Sequence, residues 1–150
     1  MIDIQTASLD DLDLLVPLFD NYRIFYEQQS NRDGARQFLT NRLSNNESHI
    51  ILAKEDQKAV GFTQLYPLFS SVSMQRMHVL NDLYVLPECR RIGMATLLLN
   101  SAKEFTIKNG SKGLALETHL TNPAQELYER LGWIKDEDYL HYFWKSNVPI

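Results

Sequence analysis

The chain has 150 residues, of which 44% are hydrophobic and 23% charged, and its formal net charge at pH 7 is −4. This composition is typical of one globular domain, residues 1–150, and unlike that of a disordered chain. The negative charge argues against a general nucleic-acid binder and agrees weakly with cationic substrates. No apolar run approaches the roughly 18 residues that a membrane-spanning helix requires, so no membrane partner is expected.

A single cysteine, Cys89, cannot form an internal disulfide and therefore allows a reducing compartment. The N-terminus is acidic and lacks the basic-then-apolar pattern of a signal peptide, so we expect a cytoplasmic protein. Two arginines follow Cys89, but no histidine–carboxylate constellation marks it as a nucleophile. The four histidines lack zinc-ligand spacing, and we predict no metal site.

The first half of the chain predicts a strand, two helices and a hairpin. Residues 2–6 alternate like a strand, and Ser8 and Asp11 have the spacing of a capping box that opens a helix. This helix is expected to continue, after a kink, to about residue 29, and a second helix to span residues 32–43. Apolar runs at residues 49–54 and 59–66 predict the hairpin, and a serine-rich loop follows at residues 67–74.

The second half predicts strands and helices in alternation. A strand over residues 78–85 precedes a helix from residue 91 to about 109, and a strand over 113–118 precedes a helix that begins at Asn122. This order predicts a parallel strand pair within a mixed sheet. Residues 133–134 and 140–144 read as two final strands.

The segment between the strand that ends at Val85 and the following helix predicts an anion site. It contains the pattern Arg90-x-x-Gly93-x-Ala95, so two arginines lie beside a helix N-terminus whose backbone N–H groups have no helical partner. Neither of the two common glycine-rich nucleotide-binding strings is present in the chain. The alternative is a basic loop whose glycine allows close packing of helix and sheet.

A second segment, residues 122–133, predicts a short helix. Asn122 is a good N-cap, Pro123 suits the first helical position, and Gly132 suits the C-terminal end. Its apolar residues form one stripe: Ala124, Leu127, Tyr128 and Leu131. Taken alone, this stripe equally fits an amphipathic helix with Tyr128 in the core.

Together and in this order, the two segments resemble the cofactor-binding segments of the GNAT family of N-acetyltransferases. The resemblance covers about a third of the chain. It implies an α/β (α+β) fold with a mixed, mostly antiparallel central sheet of six to seven strands and about four helices. It also implies that a splayed parallel strand pair holds acetyl-CoA as co-substrate, with no metal.

The resemblance also implies residue roles at the coenzyme. The pantetheine arm would pair with the strand edge at Leu83, Tyr84 and Val85, unless that strand is interior with both edges occupied. Asn122 would lie near this arm, and Tyr128 would donate a proton to the leaving thiolate. The pyrophosphate would bind the loop and helix start, which comprise Arg90, Arg91, Ile92, Gly93, Met94, Ala95 and Thr96.

The general base is the point at which this chain departs from the family pattern. Several members carry a glutamate at the position that Asn81 occupies here, and an asparagine cannot accept the proton of an amine. Asp82 is adjacent, but regular strand alternation places it on the opposite face. Glu117 is the next candidate, although a surface salt bridge explains it equally well. His78 and His119 have suitable intrinsic pKa values, but satisfied or exposed histidines are commoner.

Residues for the acceptor are expected in the N-terminal helical region and the strand. Arg23, Tyr26 and Asn81 are candidates for substrate binding. Tyr22, Phe25 and Tyr26 also have the spacing of a core-facing stripe, and packing is the favoured reading for Phe25. The aromatic run at residues 141–144 suits either a pocket wall or a homodimer interface.

The function that these features favour is acetyl-CoA-dependent transfer of an acetyl group to a primary amine of a small molecule. Direct attack in a ternary complex is expected, because no nucleophile is placed to carry the acetyl group. A protein or peptide acceptor is the enzymatic alternative. A non-catalytic acyl-CoA-binding sensor module is the alternative from another functional class.

Overall fold

The computed structural model describes residues 1–149, which contain five strands and four α-helices. The strands are β1 (Ile2–Thr6), β2 (His49–Glu55), β3 (Lys58–Ser70), β4 (Gln75–Val85) and β5 (Leu114–Ala115). The helices are α1 (Leu12–Phe25), α2 (Arg32–Ser44), α3 (Met94–Lys108) and α4 (Gln125–Arg130). The chain divides into two compact units, Met1–Glu117 and the residues from Thr118 onwards. The single domain expected from the chain length therefore stays a prediction.

The five strands form one sheet in the order β1-β2-β3-β4-β5. Neighbouring strands are antiparallel except for β4 and β5, which are parallel. The expected mixed, mostly antiparallel sheet with a parallel pair and four helices is thus confirmed. The strand count is lower than expected, because residues 133–134 and 140–144 form no strand. Their aromatic composition favours β-structure only where a neighbouring strand is available for pairing.

Several predicted boundaries are wrong for identifiable reasons. Residues 67–70 belong to β3 and not to a loop, since Phe69 pairs with Arg76, whose guanidinium lies over the Phe69 ring at 5.5 Å. The helix expected from residue 91 begins at Met94, because Arg91 and Gly93 have positive φ angles of 67° and 85°. Similarly, Glu27 (φ 63°) follows the end of α1, which therefore stops short of residue 29.

The capping box at Ser8 is confirmed, although it opens a short 3-10 helix (Leu9–Asp11) that leads into α1. The Asp11 carboxylate accepts a hydrogen bond from the Ser8 N–H at 2.9 Å, and the Ser8 hydroxyl accepts one from the Asp10 N–H at 3.2 Å. These bonds satisfy N–H groups at the start of the helical segment.

Helices cover both faces of the sheet within the first unit. Phe62 of β3 is buried in a cluster with Phe19 of α1 and Leu39 of α2. The adjacent Gly61 faces the other side, where a Cβ atom built on it would lie 3.4 Å from Leu98 of α3. Because successive strand residues point to opposite faces, α1 and α2 lie on one face and α3 on the other. No helix among residues 1–149 is both long and apolar enough to cross a membrane.

Candidate active site

A cavity of about 470 Å³ lies where α1 and α2 meet the face of β3 and β4. Its wall combines aromatic rings with one carboxylate, one guanidinium and several amides. The lining residues are Phe19, Tyr22, Arg23, Tyr26, Gln28, Asn31, Gly34, Ala35, Phe38, Tyr66, Asn81 and Asp82. The volume suits a small molecule.

A β-bulge in β4 brings Asn81 and Asp82 to this cavity together. Gln64 of β3 pairs with Asp82 and Leu65 pairs with Leu80, so Asn81 is the extra residue of the bulge. Regular alternation predicted opposite faces for Asn81 and Asp82, and this prediction is wrong because the bulge interrupts the alternation. Both side chains line the cavity, and the Asn81 side-chain amide donates a 2.7 Å hydrogen bond to the Asp82 carboxylate.

The Asp82 carboxylate is buried, with 2% of the residue exposed, and it has several donors. The Gln64 side-chain amide donates to Oδ2, and the Asn81 amide donates to Oδ1. The Tyr22 hydroxyl also interacts with this carboxylate. Burial raises the pKa of Asp82 above its ordinary value, although the hydrogen bonds from Gln64, Asn81 and Tyr22 oppose the rise.

The tyrosines around Asp82 stay protonated at neutral pH. Burial raises the pKa of Tyr22, and the nearby charge of Asp82 adds to this effect. Burial and the same charge raise the pKa of Tyr66 as well. Asp82 is therefore a carboxyl group of raised pKa beside tyrosines that keep their protons, an arrangement typical of a general base.

The three residues predicted for substrate binding, Arg23, Tyr26 and Asn81, all line this cavity. Arg23 donates a hydrogen bond from Nη1 to the Gln29 carbonyl at 3.1 Å, which holds its guanidinium at the wall. Core packing, the interpretation favoured for Phe25 from the sequence, is wrong, since 61% of the residue is exposed. Instead, its ring contacts Tyr26 and lies 5.7 Å from the Arg90 guanidinium.

Sequence reasoning missed several lining residues, including Tyr66 of β3 and Phe38 and Asn31 at α2. It also missed Gln64, which is fully buried and contacts Asp82. The available signal was a glutamine within the apolar run of residues 59–66, because a buried amide requires polar partners. Nothing in a single sequence identifies those partners.

The loop before α3 has the conformation of an anion site. Gly93 is the N-cap of α3 in the left-handed region (φ 85°), and a Cβ atom built there would meet no atom within 4 Å. The backbone N–H groups of the first helical turn have no partner within the helix. Arg90 and Arg91 are exposed beside it, and Arg90 Nε donates to the Val85 carbonyl at 2.9 Å.

The edge of β4 that faces β5 is paired over a short distance. His78 pairs with Leu114 and Val79 with Ala115, and no strand of the described residues pairs with this edge further along β4. The segment Leu83, Tyr84 and Val85 is therefore paired with β3 alone. The Tyr84 side chain is buried in the core, so this residue offers only its backbone to a ligand at the free edge.

The remaining candidates lie elsewhere in the chain. Glu117 is exposed, ends the first unit, and is not among the cavity-lining residues. His78 is buried with its Nδ1 2.9 Å from the Ser111 hydroxyl, and His119 is exposed. Burial raises the pKa of the Cys89 thiol, which agrees with a bystander role.

In the second unit, Tyr128 lies in the short helix α4, and Asn122 lies in the turn before it. The helix α4 begins at Gln125 instead of Pro123, because the Asn122 side chain accepts a 2.9 Å hydrogen bond from the Ala124 N–H within a turn. The Tyr128 ring packs against Trp133 at 6.1 Å. Among residues 1–149, no group of three His, Cys, Asp or Glu side chains could hold a metal ion.

Comparison with known proteins identifies the family. The model of the Acetyltransferase (GNAT) family matches residues 15–133. The chain is 46% identical to the uncharacterized N-acetyltransferase YhfO of Bacillus subtilis (strain 168) over 149 residues, 99% of each protein. A crystal structure of a probable acetyltransferase shares 39% identity at a TM-score of 0.92, over 98% of this chain and 99% of that one.

A predicted acetyltransferase from Clostridium acetobutylicum, crystallised with acetyl-CoA, shares the fold at a TM-score of 0.77. It is 17% identical, and the match covers 95% of this chain and 96% of that one. The family match and the solved structures agree with the fold. The chain belongs to the GNAT family of acetyltransferases and is an acetyl-transferring enzyme.

Proposed function

We propose that this enzyme transfers the acetyl group of acetyl-CoA to the primary amine of a small molecule, with Asp82 as the general base. The observation that carries this proposal is the buried Asp82 carboxylate in the wall of an aromatic cavity of about 470 Å³. A carboxylate surrounded by aromatic rings attracts an ammonium group through its charge and through the ring faces. The aromatic rings of the wall would exclude water from the apolar part of the acceptor.

Two features support acetyl-CoA as the donor. The N-terminus of α3, with Arg90 and Arg91 beside it, offers N–H groups and positive charge to the pyrophosphate. The free edge of β4 at Leu83, Tyr84 and Val85 offers backbone groups to the amides of the pantetheine arm. These residues fit coenzyme A, and the GNAT family generally uses acetyl-CoA.

The acceptor amine must lose protons at two stages. A primary ammonium at neutral pH first gives one proton to Asp82, directly or through a water molecule. The free amine then attacks the thioester carbon, a C–N bond forms and the C–S bond breaks. The nitrogen gives its second proton to water as the amide forms, and the thiolate takes one from a proton donor. Exchange with water then removes the proton from Asp82 and restores that of the donor. We retain Tyr128 as the proton donor to the thiolate, a role that rests on the resemblance alone.

The test is a panel of amines incubated with acetyl-CoA and purified protein, with acetylated products identified by mass spectrometry. Small primary amines, amino-acid derivatives, polyamines, aminoglycosides and short peptides form the panel. We expect transfer to at least one small amine and faster transfer there than to peptides. Faster transfer to peptides would show that the acceptor is a peptide or protein and not a small molecule. Tight acetyl-CoA binding without transfer to any compound would favour the sensor module.

A further inference from the structure

A buried pair of polar side chains joins β3 to the proposed base, Asp82, on β4. Gln64 and Asp82 are register partners on adjacent antiparallel strands, so their side chains lie on the same face. Gln64 is fully buried, and its Nε2 donates to Oδ2 of Asp82. The amide nitrogen must face the carboxylate, because the amide oxygen in that position would repel it.

Ser48, the residue before β2, fixes the other end of this amide. Its hydroxyl donates to Oε1 of Gln64 at 2.7 Å. The three side chains form a continuous chain of donors and acceptors that runs from Ser48 through Gln64 to Asp82. With both ends of its amide bound, Gln64 is held in place, and the carboxylate selects the orientation in which the N–H end faces Asp82.

This arrangement affects both the charge and the direction of Asp82. Oδ2 is bound on the β3 side by Gln64 and Oδ1 by the Asn81 amide. N–H donors stabilise the ionised carboxylate and so oppose the effect of burial. Of these two donors, Gln64 is buried and held by a third residue, whereas Asn81 is exposed.

We propose that Gln64, oriented by Ser48, is a positioning residue that keeps the Asp82 carboxylate ionised and directed at the acceptor cavity. The inference rests on the proposed role of Asp82 in acetyl transfer. Gln64 does not line the cavity, so it acts through Asp82 and touches no substrate. Without the N–H donor of Gln64, less opposes the effect of burial on the Asp82 carboxyl group, and Asp82 then retains its proton to a higher pH.

Tyrosine and arginine side chains are the other ionisable groups near Asp82. Tyr22 lies on α1, Tyr26 directly follows that helix and Tyr66 lies on β3. Burial raises the pKa of Tyr22 and Tyr66. The guanidinium of Arg23 lines the cavity, and the charge of Arg42 acts on Tyr66. Asp82 carries the one carboxyl group among the lining residues, so its own ¹³C signal follows its titration directly.

The experiment compares Gln64→Met, Ser48→Ala and Thr63→Val with the unmodified enzyme. Methionine keeps the unbranched shape of glutamine without its donor, and Ser48→Ala frees the amide to turn. Thr63→Val is the matched control, because the Thr63 hydroxyl donates to the Asp82 backbone carbonyl at 2.8 Å and not to the carboxylate. The readouts are the Asp82 carboxyl titration by ¹³C NMR and the acid limb of kcat/KM against pH.

We expect Gln64→Met to raise the Asp82 titration midpoint and the acid limb by about one pH unit, the size of one hydrogen bond to a charged group. Ser48→Ala should raise the titration midpoint and the acid limb as well, but by less. If Gln64→Met does not fold, Ser48→Ala alone tests the inference. Thr63→Val should move neither. An unchanged Asp82 titration in the folded Gln64 and Ser48 variants would overturn the inference. A shifted titration with an unmoved acid limb would support the positioning role while removing Asp82 as the base.

Discussion

At the scale of single residues, the structure places a carboxylate where burial disfavours its charge. Asp82 is 2% exposed, and burial raises its pKa despite donors from Gln64 and Asn81. A carboxyl group with a raised pKa is typical of proton-transfer sites, but its ionised form is costly to the fold. The aromatic surroundings that favour an ammonium ligand also remove the water that would stabilise the carboxylate.

This balance predicts the effect of Asp82→Asn on stability. The folded-state pKa of Asp82 is raised, so its contribution to stability is present below the unfolded-state pKa and is lost as pH rises through the folded-state pKa. At pH 8 the neutral asparagine should therefore give an equal or higher Tm than aspartate, measured by calorimetry. The advantage should shrink as the pH falls and Asp82 itself becomes neutral. A Tm several degrees lower at pH 8 would contradict the assignment of a destabilising charge.

At the scale of elements, the bulge in β4 decides which side chains meet. Residues 78–85 were predicted as a strand and are one, but alternation alone placed Asn81 and Asp82 on opposite faces. No local pattern in the sequence marks the inserted residue, since a bulge depends on the register with β3. The candidate residues could thus be named from the sequence, whereas their convergence on one cavity could not.

The helix α3 provides a matched pair of glycines for the second prediction. Gly93 precedes this helix and Gly110 follows it, both with positive φ (85° and 65°) and both facing open space. Alanine at either position should cost about 1 kcal/mol in the free energy of unfolding. Only Gly93→Ala should also weaken acetyl-CoA binding, about tenfold or more, because its methyl group would enter the space in which a phosphate reaches the N–H groups.

Isothermal titration calorimetry with acetyl-CoA measures both variants directly. Equal dissociation constants for Gly93→Ala and Gly110→Ala would argue against the loop before α3 as the pyrophosphate site. A loss of affinity common to both would trace to general destabilisation. The comparison separates loss of the phosphate site from general destabilisation, because both glycines have positive φ angles and lie at opposite ends of α3.

At the scale of the whole molecule, two histidines link stability to pH. His49 of β2 stacks on Phe105 of α3 with ring centroids 3.5 Å apart, and His78 of β4 meets the same ring edge-on at 5.1 Å. Burial and the neighbouring His78 lower the pKa of His49 to about 4. Burial and Arg76 lower the pKa of His78 as well. Both rings are therefore neutral in the folded protein at pH 7.

The third prediction follows from this difference between folded and unfolded chains. Between its ordinary pKa of 6.5 and about 4, His49 binds a proton in the unfolded state and not in the folded state. Stability should therefore fall as pH falls through this window. In His49→Phe, the drop in Tm between pH 7 and 4.5 should be smaller by at least about 2 °C. His119→Gln is the control, and an undiminished drop in His49→Phe would refute the assignment.

Most of the sheet was predictable from the sequence, because its strands carry strong apolar patterns and its helices have clear signals such as the Ser8 capping box. The extension of β3 through Pro67 could not be predicted, because pairing with β4 overrides the preference of serine and proline for loops. The Gln64–Asp82 pair was likewise hidden, because it joins residues 18 positions apart in the chain. Long-range register thus limits what local patterns can establish.

The most direct measurement is acetyl transfer by Asp82→Asn and Glu117→Gln with the best small amine, alongside acetyl-CoA affinity for each variant. If Asp82 is the base, Asp82→Asn should lower kcat about 10²-fold or more, leave acetyl-CoA binding unchanged and remove the acid limb of the pH profile. Glu117→Gln should retain kcat within about threefold, since Glu117 is exposed and outside the cavity lining. Full turnover by Asp82→Asn, or its loss in Glu117→Gln alone, would contradict the account.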